Sequence, residues 1–90
     1  MKQNDLINEK EQYYIKIQQS RVKISDSKLE IARRKPDLWE QAGGTVDQKK
    51  DYIKSKLTEF YDAIRLEESN IEFFYNMIDV LNNRLEYCDG

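Results

Sequence analysis

The chain has no histidine, one cysteine, one proline and three glycines. Without histidine it lacks the usual general base near neutral pH and the commonest metal ligand. A single thiol excludes a cysteine zinc cluster, a Cys-His nucleophile pair and an intrachain disulfide. Gly43-Gly44 has neither the following Lys-Ser/Thr nor the preceding strand of a phosphate loop. Neighbouring carboxylates such as Glu67 and Glu68 read as solvated helix surface. A non-enzymatic protein is therefore expected, with no cofactor and no metal. No apolar run approaches the ~18 residues of a membrane span. No basic-then-apolar segment opens the chain. The lone thiol, Cys88, suits a reducing compartment. These absences together predict a cytoplasmic protein with no membrane partner.

What is present is charge and periodicity. Charged side chains make up 36% of the 90 residues. With so little proline and glycine, that mix favours long helices. A chain of this size buries only about 60–65% of its unfolded surface, so a monomeric core would be thin. Residues 53 to 88 carry a seam of five heptads. It reads Ile53, Leu57, Phe60, Ile64, Glu67, Ile71, Phe74, Ile78, Leu81, Leu85 and Cys88, with Glu67 as its one charged member. Steps of four and three draw a single apolar stripe down a rod that needs a partner helix. An unpaired carboxylate in that seam would be costly. Glu67 must therefore reach water or meet a cation of another helix.

The first half repeats a triplet at intervals of seven: Ile15-Lys16-Ile17, Val22-Lys23-Ile24 and Leu29-Glu30-Ile31. Ile17, Ile24 and Ile31 form one stripe. Ile15, Val22 and Leu29 form another, about 200° away at ~100° per residue. The same triplets alternate like strands, but three strands so short, with no glycine at the turns, would make a poor meander. A helix greasy on two faces is instead expected to lie between two neighbours. Small Ser20 and Ser27 on the first stripe leave room for bulky partners.

The expected organisation is one helical domain spanning 1–90: a helix over 5–34, a connector with a short helix over 36–44, and a helix over 46–88. Pro36 biases Lys35 away from helical geometry and ends the first helix. Thr45 and Gln48 match a capping box at the start of the second. The fold class is all-α, an antiparallel coiled-coil-like hairpin that forms homo-oligomers. The pairing sets Ile24 near Phe60, Ile17 near Glu67 and Leu6 near Ile78. Leu81, Leu85 and Tyr87 then outrun the first helix. With Ile15, Val22 and Leu29 they form the expected self-association surface.

Charge is uneven along the chain. Arg21 to Lys56 holds ten basic and six acidic side chains, whereas Leu66 to Gly90 holds one arginine and six carboxylates. In a hairpin the turn end is basic and the tail end acidic. Trp39 falls among Arg33, Arg34, Lys35, Lys49 and Lys50, the aromatic-plus-basic mixture used to stack single-stranded bases. The net charge of −2 argues against general affinity for polyanions.

Lys10 to Arg34, a charged helix, and Ile71 to Arg84, ending Leu81-Asn82-Asn83-Arg84, resemble stretches of the phage recombination-mediator (UvsY) family. The resemblance covers about half the chain. It implies a small helical phage protein that assembles into rings, binds single-stranded DNA and loads a recombinase. Asn82, Asn83 and Arg84 are the residues that carry over. The family continues with a basic, aromatic segment, whereas this chain ends Glu86-Tyr87-Cys88-Asp89-Gly90. Three functions are therefore expected in turn. The first is an assembly or adaptor protein, phage-encoded and acting on a protein partner in the host cytoplasm. The second is a single-stranded DNA binder. The third is an inhibitor that presents an acidic surface.

Overall fold

A computed structural model of the protein describes residues 3–87. Three helices follow one another: α1 (Gln3–Gln41), α2 (Val46–Lys56) and α3 (Thr58–Glu86), with no strand among the described residues. α1 runs antiparallel to α2 and α3, and its main partner is α3. The hairpin measures 67 × 18 × 13 Å with a radius of gyration of 20.0 Å. A compact 90-residue domain would have a radius near 12 Å. The all-α hairpin is thus the observed architecture, drawn out to rod proportions.

Pro36 does not end the first helix. α1 continues through it to Gln41, so the separate connector helix expected over 36–44 is the last part of α1. Proline cannot donate to the carbonyl four residues earlier. That carbonyl belongs to Ala32, which is exposed, so water can satisfy it. The turn beyond Pro36 is held by burial: Leu38 packs on the core, and Ala42, itself buried, donates its N–H to the Leu38 carbonyl at 2.9 Å.

The short turn follows the expected chemistry. Gly44 has φ +95°, and a Cβ there would collide with the Gln48 side chain. Thr45 then caps α2. Its Oγ1 accepts from the Gln48 N–H at 3.3 Å, and its own N–H donates to Gln48 Oε1 at 3.0 Å. Both orphan donors are satisfied at once.

The helix expected over 46–88 is broken at Leu57, which has φ −107° and ψ 8°. Hydroxyls compete for backbone carbonyls around the break. Ser55 Oγ donates to the Tyr52 carbonyl at 2.7 Å, and Thr58 Oγ1 donates to the carbonyls of Lys54 and Ser55. Such local bonds bend helices. Leu57 itself is fully buried and centres a cluster with Ile31, Ile53 and Ile64, flanked by Ile24, Leu38 and Phe60. At the far end Leu6, Ile17, Ile78 and Leu81 are buried.

The pairing of α1 with α3 differs from the expected register. Tyr13 stacks on Phe74 with ring centres 5.9 Å apart, Lys23 reaches Glu67, and Arg34 lies over Phe60 at 4.8 Å. Each α3 residue meets a later α1 residue than expected, because α1 extends past Pro36. The start of α1 therefore reaches farther along α3 and covers Leu81, which is 0% exposed.

Glu67 is paired within the hairpin. Its carboxylate sits 3.8 Å from Lys23 Nζ, with the Glu67 side chain 13% exposed. Of the two fates open to it in the sequence, contact with a cation of the other helix is the one observed.

Candidate functional site

The seams that join α1 to α3 use one face of each helix. The opposite faces are not covered. Ile15, Val22 and Leu29 remain 49–59% exposed along the outer side of α1. α3 carries a matching outer stripe. Leu66, Phe73 and Val80 recur at intervals of seven and are 40–61% exposed, and Tyr87 continues the row. Leu66 lies about 200° around the helix from Ile64 of the seam at ~100° per residue. Leu66, Phe73 and Val80 each lie ~100° from the seam residue that follows them, so this stripe, like that of α1, stands outside the shared seam.

The surroundings of these stripes are unusually neutral for so charged a chain. The residues one turn away include Gln18, Gln19 and Ser25 on α1, and Ser69, Asn70 and Asn76 on α3. Removing such groups from water costs far less than removing charges. Charges one turn away are Glu11, Asp26 and Arg33 on α1, with Asp26 between Val22 and Leu29, and Asp62 and Arg84 at the two ends of the α3 stripe.

The expected self-association surface is therefore half corrected. Ile15, Val22 and Leu29 are exposed as expected, and Tyr87 is 82% exposed. Leu81 is not available, being fully buried against α1, and Leu85 is half-buried. The overhang they were to form does not exist. Cys88 lies outside the described residues. The outer α3 stripe was not expected, because the seam beside it is longer and more apolar, yet its seven-residue spacing stands in the sequence.

A second feature lies at the turn end, where the last part of α1 runs beside α2 and the start of α3. Between them lies an open groove of about 920 Å³. Its floor is formed by Trp39, Ile53, Tyr61 and Ile64. Its rim carries Lys35, Lys50, Lys54 and Arg65 against a single carboxylate, Glu68. Among the described residues no carboxylate is in ion-pair contact with Lys35, Lys50 or Lys54, whereas Arg65 pairs with Asp62 at 3.0 Å.

The basic and aromatic residues singled out in the sequence thus divide. Lys35, Trp39 and Lys50 line the groove. Lys49 is held over the Trp39 ring at 5.0 Å. Arg33 and Arg34 do not line it. Both pair with Glu30, at 3.1 and 3.2 Å, and Arg34 borders a smaller hollow beside Leu38 and Leu57. Lys54, Tyr61 and Arg65 complete the groove and were not among the residues expected, although with Lys50 and Glu68 they fall at helical spacing along one side of α2 and α3. Asn82, Asn83 and Arg84 are exposed at the other end of the rod.

Among the described residues no group of histidine, cysteine or carboxylate side chains could hold a metal ion, and no helix is long and apolar enough to cross a membrane. No family model, curated protein or solved structure matches the chain.

Proposed function

We propose that this is a non-enzymatic assembly protein whose copies join edge to edge, the outer stripe of α1 in one copy packing on the outer stripe of α3 in the next. The observation that carries this reading is the pair of bare heptad stripes, one on each long helix and both outside the shared seam. Surface area supports it. The chain exposes 6766 Å², whereas a compact protein of 10.8 kDa exposes about 5,500 Å².

Packing and charge select one arrangement. With the two helices antiparallel, Ile15 faces Val80, Val22 faces Phe73 and Leu29 faces Leu66. The same register sets Glu11 against Arg84 and Arg33 against Asp62. A parallel arrangement would set Glu11 against Asp62 and Arg33 against Arg84, joining like charges at both ends. Pairing like stripes antiparallel keeps the charges matched but puts Val22 on Val22 and Phe73 on Phe73. Small against large fills an interface better than small against small. Because the two stripes differ and point apart, such contacts are heterologous and repeat from copy to copy.

Two variants test this. Ile15→Asp with Val22→Asp blocks the α1 edge, and Phe73→Asp with Val80→Asp blocks the α3 edge. Multi-angle light scattering is expected to find each variant monomeric alone and an equimolar mixture dimeric, joined by the one intact edge of each. A variant that dimerises by itself means that like stripes pair. A wild-type protein that stays monomeric at high concentration removes the reading altogether.

A further inference from the structure

The groove at the turn end is separate from both edges: none of Ile15, Val22, Leu29, Leu66, Phe73 and Val80 lines it. From its shape and charge we infer that it is a seat for an acidic amphipathic helix of another protein. The occupant would lie along α2 and α3 as a third helix at that end of the rod.

Three features fix the chemistry of the occupant. The first is the floor. Ile53 and Ile64 are buried core residues whose outer surfaces reach the groove, and Trp39 and Pro36 form the α1 side. An apolar floor of two isoleucines with Trp39 and Tyr61 suits apolar anchors from one helical face, repeating every three or four residues. Nucleotide stacking would instead call for exposed rings in series along the path.

The second is the rim. Four cations face the groove against one carboxylate, and Lys35, Lys50 and Lys54 have no ion-pair partner among the described residues. Carboxylates flanking the apolar face of an incoming helix would meet them. A basic helix would meet only like charge.

The third is length. From Lys50 to Glu68 the groove follows eighteen residues of α2 and α3. At 1.5 Å per residue that is about 27 Å, room for about five turns of helix.

Trp39 is the one tryptophan of the chain and lines the groove, so its fluorescence reports occupancy directly in the unmodified 90-residue chain. The probe is a synthetic peptide of about 18 residues, matched to the groove length, with leucines on one face and glutamates on either side. Its counterpart carries lysines in place of the glutamates, and a third arm uses single-stranded oligothymidine.

The acidic peptide is expected to shift Trp39 emission to shorter wavelength with saturation, and to gain helicity in circular dichroism. Its affinity is expected to fall with added salt. Lys50→Glu with Lys54→Glu should weaken it about tenfold, since two attractions become two repulsions. Both lysines are exposed or at the groove rim, so the helical spectrum of the variant should match the parent, and Arg65→Glu gives a second, independent variant. No response to the acidic peptide overturns the inference. So does an equal response to the lysine peptide, which would mean unselective apolar binding. A saturable response to oligothymidine alone would make the groove a nucleic-acid site. None of these outcomes bears on edge-to-edge assembly, which is read by mass.

Discussion

Each long helix carries two apolar stripes at the same seven-residue interval, and they meet opposite fates. The inner pair, around Ile31, Leu57 and Ile64 at one end and Leu6, Ile78 and Leu81 at the other, is buried. The outer pair, Ile15-Val22-Leu29 and Leu66-Phe73-Val80, is bare. Hydrophobicity does not separate them, since Phe73 offers more apolar surface than Leu81. Geometry does. A hairpin of two helices has one interior, so a second greasy face on either rod can be covered only by something else. The inner seam even accommodates Glu67, which Lys23 reaches, while the middle of the outer α3 stripe is flanked by neutral amides and hydroxyls and that of α1 by Gln18, Gln19, Ser25 and one carboxylate, Asp26. Periodicity states that a face is apolar and leaves open what covers it.

Substitutions can break this contrast or sharpen it. The largest effect is expected from Leu57→Ala, which empties the centre of the turn-end cluster. Urea denaturation should show a loss of about 3 kcal/mol. A loss under about 0.5 kcal/mol, the range of ordinary surface changes, would mean that the cluster is not a core. Replacing the seam carboxylate comes next. Glu67→Leu should raise stability by about 1 kcal/mol, because a partly buried charge held by a long contact to an exposed lysine contributes little. A rise in melting temperature of about 4–8 °C is the matching readout. A lower melting temperature would mean that the Lys23 pair contributes more than apolar packing would.

Thr45→Ala removes one half of the capping box and should cost about 1 kcal/mol. Hydrogen exchange should speed up in the first turn of α2 and nowhere in α3. The smallest effect is expected from Phe73→Ala. In dilute solution it should change unfolding by less than about 0.5 kcal/mol, while abolishing any rise of mass with concentration. If Phe73→Ala were as costly as Leu57→Ala, the distinction between inner and outer stripes would fail.

Much of the fold was legible in the residues. The four-three spacing from Ile53 to Leu85 announced the seam, and Thr45 with Gln48 announced the start of α2. Two punctuation marks misled. Pro36 is a strong local breaker, but burial of Leu38 and Ala42 carries the helix past it. Leu57 is a good helix former on the apolar seam, so nothing in the spacing marks the interruption there. Ser55 and Thr58 are the only local hint. The continuation of α1 past Pro36 places Trp39 on the same groove as Lys54, Tyr61 and Arg65, where a separate connector was expected.

The unlikeness of the two edges carries a consequence for growth. Each subunit that docks consumes one edge and presents a fresh copy of the other, so addition never exhausts its own substrate unless the ends happen to meet. A protein with only one usable edge would then act as a chain terminator. Trace amounts of it would shorten every assembly in the mixture, and the mean length would be set by dose rather than by affinity.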